Sequence, residues 1–268
     1  MPGAAELLAA YDTQLRAHIS DPLPRGVTVE RDGPLLRWLG LASRGFVLYR
    51  NLGGLEGAEL DALIARQVQV FAERGERFEW KLHGHDRPTD LPQRLCAAGF
   101  VPEDTETVVI APAADIAGEA PLPEGVSLRE VTSRADFERI AALEQAVWGP
   151  EDQQSWLVEM LESERAVDPE ALTIVVAEAG ATVVCAAWIR FEAETGFATL
   201  WGGATLPVWR RRGIYRTIVA HRASLAVARG FRYLETDASA DSRPILERLG
   251  FTAVTTTTPF VWSPPAPG

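Results

Sequence analysis

The alternation of apolar and polar positions is clearest in the second half of the chain, where it predicts strands and helices in mixed order. Short alternating segments bounded by Gly or Pro predict strands, and longer segments with helical spacing predict helices. Because proline lacks an N–H, Pro259 predicts that the last strand lies at an edge or carries a bulge. The predicted elements are strand 126–131, a helix from Ser133 or Asp136 to about 147, helix 154–164, strands 172–179, 182–192 and 197–206, helix 214–229, strand 231–236, helix 242–249 and strand 253–262.

The first half of the chain repeats the end of this pattern. Its predicted elements are strand 44–50, helix 60–72, strand 77–82, helix 90–98 and strand 105–111. The segments Asp90–Phe100 and Asp241–Phe251 share an Asp near the start, a Pro in the first turn, a Leu five residues before the Phe, and a final Gly-Phe. Pro near the start and Gly just past the end are common in helices generally, so a chance similarity between the two segments is the alternative. The shared order of elements favours an internal repeat.

A segment rich in Pro, Ala and Gly separates the two halves. The sequence APAADIAGEAPLPEG, ending at Gly125, has no apolar period and is typical of a linker. We therefore predict a first domain over 1–115, a linker over 116–125, a second domain over 126–262 and a disordered tail over 263–268.

Composition narrows the classes of function. The formal net charge is −11, which disfavours nucleic acid because phosphate binding needs clustered Lys and Arg. The acidity weakly favours cationic substrates, although solubility is the simpler explanation. The two cysteines lack metal-ligand spacing, and no signal peptide or membrane span is visible. We expect a soluble cytoplasmic protein with no metal and no membrane partner, in which Phe260–Trp262 would support pairing into a homodimer.

The segment from Trp201 to Tyr215 carries the most informative chemistry. A predicted strand ends, Pro207 follows, and three arginines precede Gly213 at the start of a long helix. A helix start presents free N–H groups and the positive end of the helix dipole, and glycine lets a ligand approach the backbone. The arrangement suits a pyrophosphate, and an exposed arginine patch is the alternative interpretation.

This segment resembles the signature of the GNAT superfamily, the Gcn5-related N-acetyltransferases. Their motif, [Q/R]-x-x-G-x-[G/A], matches Arg210 to Ile214, whereas Tyr215 replaces the small final residue. The resemblance covers about residues 126–262 and implies an α/β fold with a twisted, mixed, largely antiparallel sheet flanked by helices. The first half resembles the same fold more faintly, as a degenerate copy without the cofactor motif.

The resemblance implies acetyl-CoA as co-substrate and an amine of a small molecule or peptide as acceptor. The strand before the motif would bind the pantetheine arm, and backbone N–H near Leu206 would steady the thioester oxygen. The implied cofactor-binding residues are Ala204, Thr205, Leu206, Arg210, Arg211, Arg212, Gly213, Ile214, Tyr215, Ser239 and Ser242.

Catalytic residues are less clearly marked. Glu235, Asp237 and Glu144 are candidate bases, each with a surface carboxylate as its alternative. The family's usual Tyr falls on Leu246 and its usual Asn on Ser239. The thiolate would then leave unassisted, or Tyr215 would substitute, or the protein would be slow or inactive. The set Trp148, Trp156, Trp188 and Trp201 would line an acceptor pocket, although such aromatic residues more often belong to a core.

Three functions remain open at this point. The first is an N-acetyltransferase, and the second is a non-catalytic acyl-CoA-binding module, which Leu246, Ser239 and Tyr215 favour. The third is a structural or partner-binding protein without CoA. The motif His83-Gly-His85-Asp86 resembles a metal-binding fragment, but a loop with satisfied side chains is the preferred interpretation because no further His or Cys accompanies it.

Overall fold

The computed structural model describes residues 2–149 and 155–265, and over these residues the chain forms one sheet flanked by helices. The helices are α1 (Ala4–Gln14), α2 (Gly57–Arg74), α3 (Leu91–Ala97), α4 (Ala113–Ile116), α5 (Arg134–Trp148), α6 (Ser155–Val167), α7 (Ile214–Ala228) and α8 (Arg243–Leu249). The strands are β1 (Thr28–Asp32), β2 (Leu35–Leu39), β3 (Gly45–Tyr49), β4 (Phe78–His83), β5 (Val101–Pro102), β6 (Glu106–Pro112), β7 (Val126–Val131), β8 (Leu172–Ala179), β9 (Thr182–Phe191), β10 (Phe197–Thr205), β11 (Tyr233–Ala238) and β12 (Thr252–Trp262).

The sheet runs without a break through both halves of the chain. Its strand order is β1-β2-β3-β4-β12-β6-β11-β10-β9-β8-β7, and β5 pairs with β12. The pairs β3–β4 and β10–β11 are parallel, and the other pairs are antiparallel. The predicted mixed, largely antiparallel α/β sheet is therefore confirmed. The division into domains at 116–125 stays a prediction.

The last strand of each half is exchanged with the other half. Strand β12, at the end of the chain, pairs with β4 of the first half, whereas β6 of the first half pairs with β11 of the second. The two exchanged strands then pair with each other at the centre of the sheet. This exchange places first-half side chains directly beside β11.

The helices cover both faces of the sheet. Leu234 of β11 packs in a core with α7, whereas its neighbour Tyr233 packs with Leu7 and Tyr11 of α1. Because successive side chains of a strand point to opposite faces, α1 and α7 lie on opposite faces. Helices α5 and α6 pack over β8 and β9, and α2 and α3 pack over β3 and β4.

Most predicted elements match the structure to within a few residues. Ser133 caps α5 by accepting from the backbone N–H of Asp136, and Gly75 ends α2 with a φ of 66°. Helix α6 begins at Ser155, so the predicted start at Gln154 lies outside the described residues, as do residues 266–268 of the predicted tail. The elements α1, β1, β2, β5 and α4 were not predicted.

The predicted edge position of the last strand is wrong. Strand β12 is central, and its bulge lies between Ala253 and Thr255 rather than at Pro259. The carbonyl of Pro259 accepts from the N–H of Glu103, and the N and O of one strand residue point to the same neighbour. The missing N–H of Pro259 thus faces the gap where β12 changes partner from β6 to β5, so no ladder hydrogen bond is lost there.

Candidate active site

Strands β10 and β11 pair over three residues and then separate. The paired positions run from Phe197 with Tyr233 to Thr199 with Glu235. Beyond them β10 carries a bulge at Gly202 and Gly203, whose φ values are 68° and 102°. A Cβ at Gly202 would lie 2.6 Å from the Trp188 ring. The glycines therefore allow the bend, and a cavity of about 1310 Å³ opens at the separation.

The loop before α7 has the geometry of an anion site. Arg211 and Gly213 both have left-handed backbones, with φ values of 61° and 84°, and no side chain caps the helix start. Such a turn directs successive backbone N–H groups into one concave surface. The Arg210 Nε donates to the Thr205 carbonyl at 3.0 Å, and the Arg212 guanidinium lies 4.8 Å from the Trp209 ring centroid. All three arginines are exposed, and Arg210 and Arg211 also line the cavity, so their positive charge is available to an anion there.

The other predicted cofactor residues fall into two groups. The side chains of Ala204 and Ile214 are buried in the core, and the Thr205 hydroxyl lies 3.1 Å from the Cys185 Sγ. The Leu206 N–H donates to the Val184 carbonyl at 3.0 Å and is therefore not free to bind a thioester oxygen.

The second group lies at the edge of the cavity. The hydroxyls of Ser239 and Ser242 are 3.2 Å apart, and the Ser242 N–H donates to Ser239 Oγ. The ring of Tyr215 packs against Gly203, where an added Cβ would lie 2.6 Å from it. Burial raises the pKa of Tyr215 above its usual value of 10.0. All three side chains border the same cavity as residues 210–213, the loop before α7, which we call the arginine loop.

Two of the three candidate bases lie together on the α1 face of β11. Glu235 is 6% exposed, and within the described part of the chain its carboxylate has neither a hydrogen bond nor an ion pair. Burial raises the pKa of Glu235 well above its usual value, and the nearby Asp237 raises it further. Asp237 itself forms an ion pair with Lys81 of β4. Because its pKa is raised, the Glu235 carboxylate is a stronger base than one in water.

The third candidate base, Glu144, lies on α5 in a different part of the cavity wall. The indole N–H of Trp148 donates to its Oε2 at 2.7 Å. Trp148 and Trp201 are 60% and 46% exposed, and they line the cavity together with Trp156 and Trp188. The structure therefore places all four tryptophans in the cavity wall, although Trp188 is itself buried.

Glu106, Lys81 and Glu192 are among the charged residues of this cavity that sequence reasoning missed. Glu106 comes from β6 and Lys81 from β4, so neither position beside β11 is foreseeable without the strand exchange. Burial raises the pKa of Glu106 to about 7, and Asp237 adds to the increase. Glu192 follows β9, where its carboxylate accepts from the hydroxyls of Thr199 at 3.0 Å and Ser20 at 3.4 Å.

Sequence reasoning also missed a buried arginine beneath the bulge. Arg222 of α7 is 1% exposed, and it donates to the carbonyls of Trp188 at 2.9 Å and Trp201 at 3.1 Å. Burial lowers its pKa. It satisfies carbonyl groups where the strand ladder is irregular and so fixes the shape of the bulge.

The histidine motif is tied to α1. His83 Nε2 lies 3.0 Å from the Tyr11 hydroxyl, and His85 Nε2 lies 3.1 Å from a carboxylate oxygen of Asp12. Asp86 forms an ion pair with Arg16. These contacts fasten the first helix to the sheet.

Residues 137–251 match the family model of the acetyltransferase (GNAT) family. No curated protein matches the chain. Among solved structures, a GCN5-related N-acetyltransferase from Kribbella flavida is similar over 100% of this chain and 97% of its own, with 19% identity and a TM-score of 0.67. A conserved protein of unknown function from Staphylococcus epidermidis is similar over 91% and 96%, with 12% identity and a TM-score of 0.66.

A tandem GNAT protein from the clavulanic acid biosynthesis pathway, solved without AcCoA, is similar over 90% of this chain and 84% of its own, with 15% identity and a TM-score of 0.61. At these identities the likeness concerns the fold. In the described part of the chain, no helix combines the length and apolar character needed to cross a membrane.

Proposed function

We propose that this chain, whose residues 137–251 form a GNAT domain, is an N-acetyltransferase that moves an acetyl group from acetyl-CoA to an amine. The observation that carries the proposal is the opening between β10 and β11, with an arginine-rich helix start at one end and a buried, unpaired carboxylate at the other. One cavity borders both the helix start and the Glu235 carboxylate. A thioester donor bound at the first could therefore meet an amine acceptor bound at the second.

The arginine loop fits the pyrophosphate of CoA. The left-handed residues Arg211 and Gly213 shape the N–H surface, and a side chain at Gly213 would strain the backbone and place its Cβ 3.9 Å from the Pro121 carbonyl oxygen. When bound, acetyl-CoA supplies an activated acetyl group. The residues Arg210 to Arg212 would bind its phosphates, and the bulge at Gly202 would admit its pantetheine arm.

Glu235 is the best-placed base. It occupies the last paired position of β11 before the strands separate, and among residues 2–149 and 155–265 no hydrogen bond holds the lone pairs of its carboxylate. An acceptor ammonium loses one proton to Glu235, and the neutral nitrogen then forms the C–N bond while the C–S bond breaks. The second proton of the nitrogen passes to the leaving sulfur. Asp237 is a poorer candidate because Lys81 neutralises it.

No side chain takes the place of the family's tyrosine. Leu246 is 1% exposed and packs in the core beneath α7 and α8, so its position does not face the cavity. Tyr215 does border the cavity, but its raised pKa makes it a weak proton donor. A thiol has a pKa of about 8.5, so a thiolate is a tolerable leaving group without an acid.

The buried Leu246 also favours the second candidate function, a non-catalytic acyl-CoA-binding module. The two functions share the cofactor site and differ only in turnover. Titration calorimetry with acetyl-CoA tests the shared part. We expect micromolar binding that Gly213→Glu removes. Gly54→Glu is the matched control, because Gly54 has an equally strained φ of 80° and open space around it, and it precedes α2 rather than α7.

Acetyl-CoA that fails to bind the unsubstituted protein would reject both functions. Binding followed by release of free thiol in the presence of a panel of amines would support the transferase. Binding with no thiol release across the panel would leave the binding module.

A further inference from the structure

Four carboxylates form a row on the α1 face of the sheet, and only one of them has a cationic partner among the described residues. Asp237 is paired with Lys81. The other three carry no ion pair in residues 2–149 and 155–265. The row, in order along β11, is Glu192, Glu235, Asp237 and Glu106.

The pairing register gives the order and length of this row. Glu192 follows β9 and reaches Thr199, which is level with Glu235. Thr107 pairs with Ala238, so Glu106 lies just beyond the end of β11. Four residue steps separate the level of Glu235 from that of Glu106, which corresponds to about 13 Å along the strand.

Glu235 indicates that the row faces a ligand rather than only solvent. This residue is 6% exposed, it borders the cavity, and no hydrogen bond from the described part of the chain satisfies its carboxylate. Buried carboxylates normally have a hydrogen-bond donor or a cation beside them. An unsatisfied carboxylate of this kind, with the unpaired carboxylate of Glu192 on one side and that of Glu106 on the other, lacks a positively charged partner.

The two ends of the cavity carry opposite charge. The arginine loop and Arg216 lie at the end that fits CoA, whereas the carboxylate row lies on the other face of β11. The basic side chains near the row are already engaged, since Arg190 is bound to Glu164 at 2.8 Å and Arg16 is bound to Asp86. A ligand carboxylate placed along this row would meet no free cation.

We propose that the cavity binds an extended aliphatic amine with a positive charge at each end, a diamine or polyamine, along the row from Glu235 to Glu106. One amino group lies at Glu235, beside the separation of β10 and β11, and the second is held by Glu106. The inference that this amine is the acetyl acceptor rests on the proposed transferase function. The exposed ring of Trp201 provides an apolar surface for the methylene chain.

A matched set of ligands tests the charge requirement. Calorimetric titrations would use 1,8-diaminooctane, n-octylamine and 8-aminooctanoate, which share a chain length and differ only in the group at one end. We expect the diamine to bind at least tenfold more tightly than the monoamine, and the amino acid to bind most weakly. Equal affinities for the diamine and the monoamine would overturn the proposal.

Variants locate the second amino group. Glu106→Gln should reduce the difference in affinity between the diamine and the monoamine to below about threefold, and it should leave the affinity for the monoamine unchanged. Glu59→Gln, on the exposed side of α2, is the matched control and should change neither. Glu192→Gln is the second variant if Glu106→Gln fails to fold, and it should weaken the diamine by several-fold. An unchanged diamine affinity in the folded variants would overturn the proposal, as would displacement of the diamine by Mg²⁺ at similar concentration.

Titrating one protein preparation with the diamine and with acetyl-CoA distinguishes failure of this inference from failure of the proposed function. Diamine binding without acetyl-CoA binding would reject the transferase and keep the amine site. Acetyl-CoA binding with no preference for the diamine would reject the amine site and keep the transferase open.

Discussion

The two halves of the sheet each contain one parallel strand pair, and the chain completes the two pairs differently. Strands β3 and β4 pair from Gly45 with Phe78 to Val47 with Trp80. Beyond this point Tyr49 occupies the space, 2% exposed, and its hydroxyl donates to Asp86 Oδ2 at 2.5 Å. Beyond the corresponding point of β10 lie Gly202 and Gly203, which have no side chain to fill the space, and a cavity opens beside them.

The helix that connects the two strands of each pair shows the same contrast. Helix α7 begins after three arginines, whereas α2 begins after Glu56, with Glu59 in its first turn. Acidic residues at a helix start satisfy its dipole and repel phosphate. Left-handed glycines also precede α2, but its capping residue Glu56 is extended, whereas Gly213 at the start of α7 is left-handed. The two helix starts therefore differ in backbone shape as well as in charge.

Buried carboxylates complete the contrast. Glu79 of β4 is 4% exposed and forms an ion pair with Arg44 at 2.7 Å. Glu235 of β11 is similarly buried, at 6% exposure, and has no ion pair with any residue that the structure describes. In this pair of residues, the first-half carboxylate is neutralised by a neighbouring arginine, whereas the second-half carboxylate borders the cavity.

The largest expected effect separates these two carboxylates. Glu235→Gln should lower kcat by about 10²–10⁴-fold, because it removes the proton acceptor, while acetyl-CoA affinity stays unchanged. Glu79→Gln should leave kcat within about threefold but lower the free energy of unfolding by about 1–3 kcal/mol, because Arg44 loses the more buried of its two carboxylate partners, Glu79 and Glu103. Steady-state kinetics and urea unfolding measure the two effects. Full turnover by Glu235→Gln would exclude Glu235 from the proton path.

The next effect concerns the position where the family has tyrosine. Leu246 and Leu95 each precede a Gly-Phe by the same distance, and both are buried, at 1% and 0% exposure. Leu246→Tyr and Leu95→Tyr should each destabilise the protein by about 1–3 kcal/mol through overpacking. Neither should raise kcat, because neither side chain faces the cavity. A faster Leu246→Tyr enzyme would show that the substituted ring reaches the leaving sulfur.

The elements that were predicted well are those that local pattern determines. Gly230 follows the end of α7, and Ser133 caps α5, because both signals depend on neighbouring residues alone. The arginine loop was foreseen for the same reason. The strand exchange was not, because it depends on which half each final strand joins. Glu106 and Lys81 were consequently missed, since only the exchange brings them beside β11.

A smaller effect appears in the dependence of stability on pH. Glu106 has an ordinary pKa of 4.5, which burial raises to about 7 in the folded chain. The folded state therefore holds a proton that the unfolded state releases between these values, so this stabilisation is complete below pH 4.5 and is lost as the pH rises through 7. The charged groups that act on Glu106 are Asp237 and Glu79, which raise its pKa, and Lys81 and Arg44, which lower it.

Glu106→Gln should accordingly lose less stability than the unsubstituted protein between pH 5 and pH 8. Urea unfolding at both pH values measures the difference, with Glu59→Gln as the control. An identical pH dependence in Glu106→Gln would show that Glu106 titrates normally. The first half would then contribute only packing to the cavity, and the contrast between the halves would sharpen.

The smallest expected effect concerns Tyr215, which stands where the family signature has a small residue. Its pKa is raised by burial, whereas a thiol ionises near 8.5, so the phenol would hold its proton rather than give it to the thiolate. Tyr215→Phe should therefore change kcat by less than about threefold. Tyr215→Ala should weaken acetyl-CoA binding more than Tyr215→Phe does, because the ring supports Gly203 at the bulge. A tenfold fall in kcat for Tyr215→Phe, with unchanged acetyl-CoA affinity, would instead make Tyr215 the proton donor.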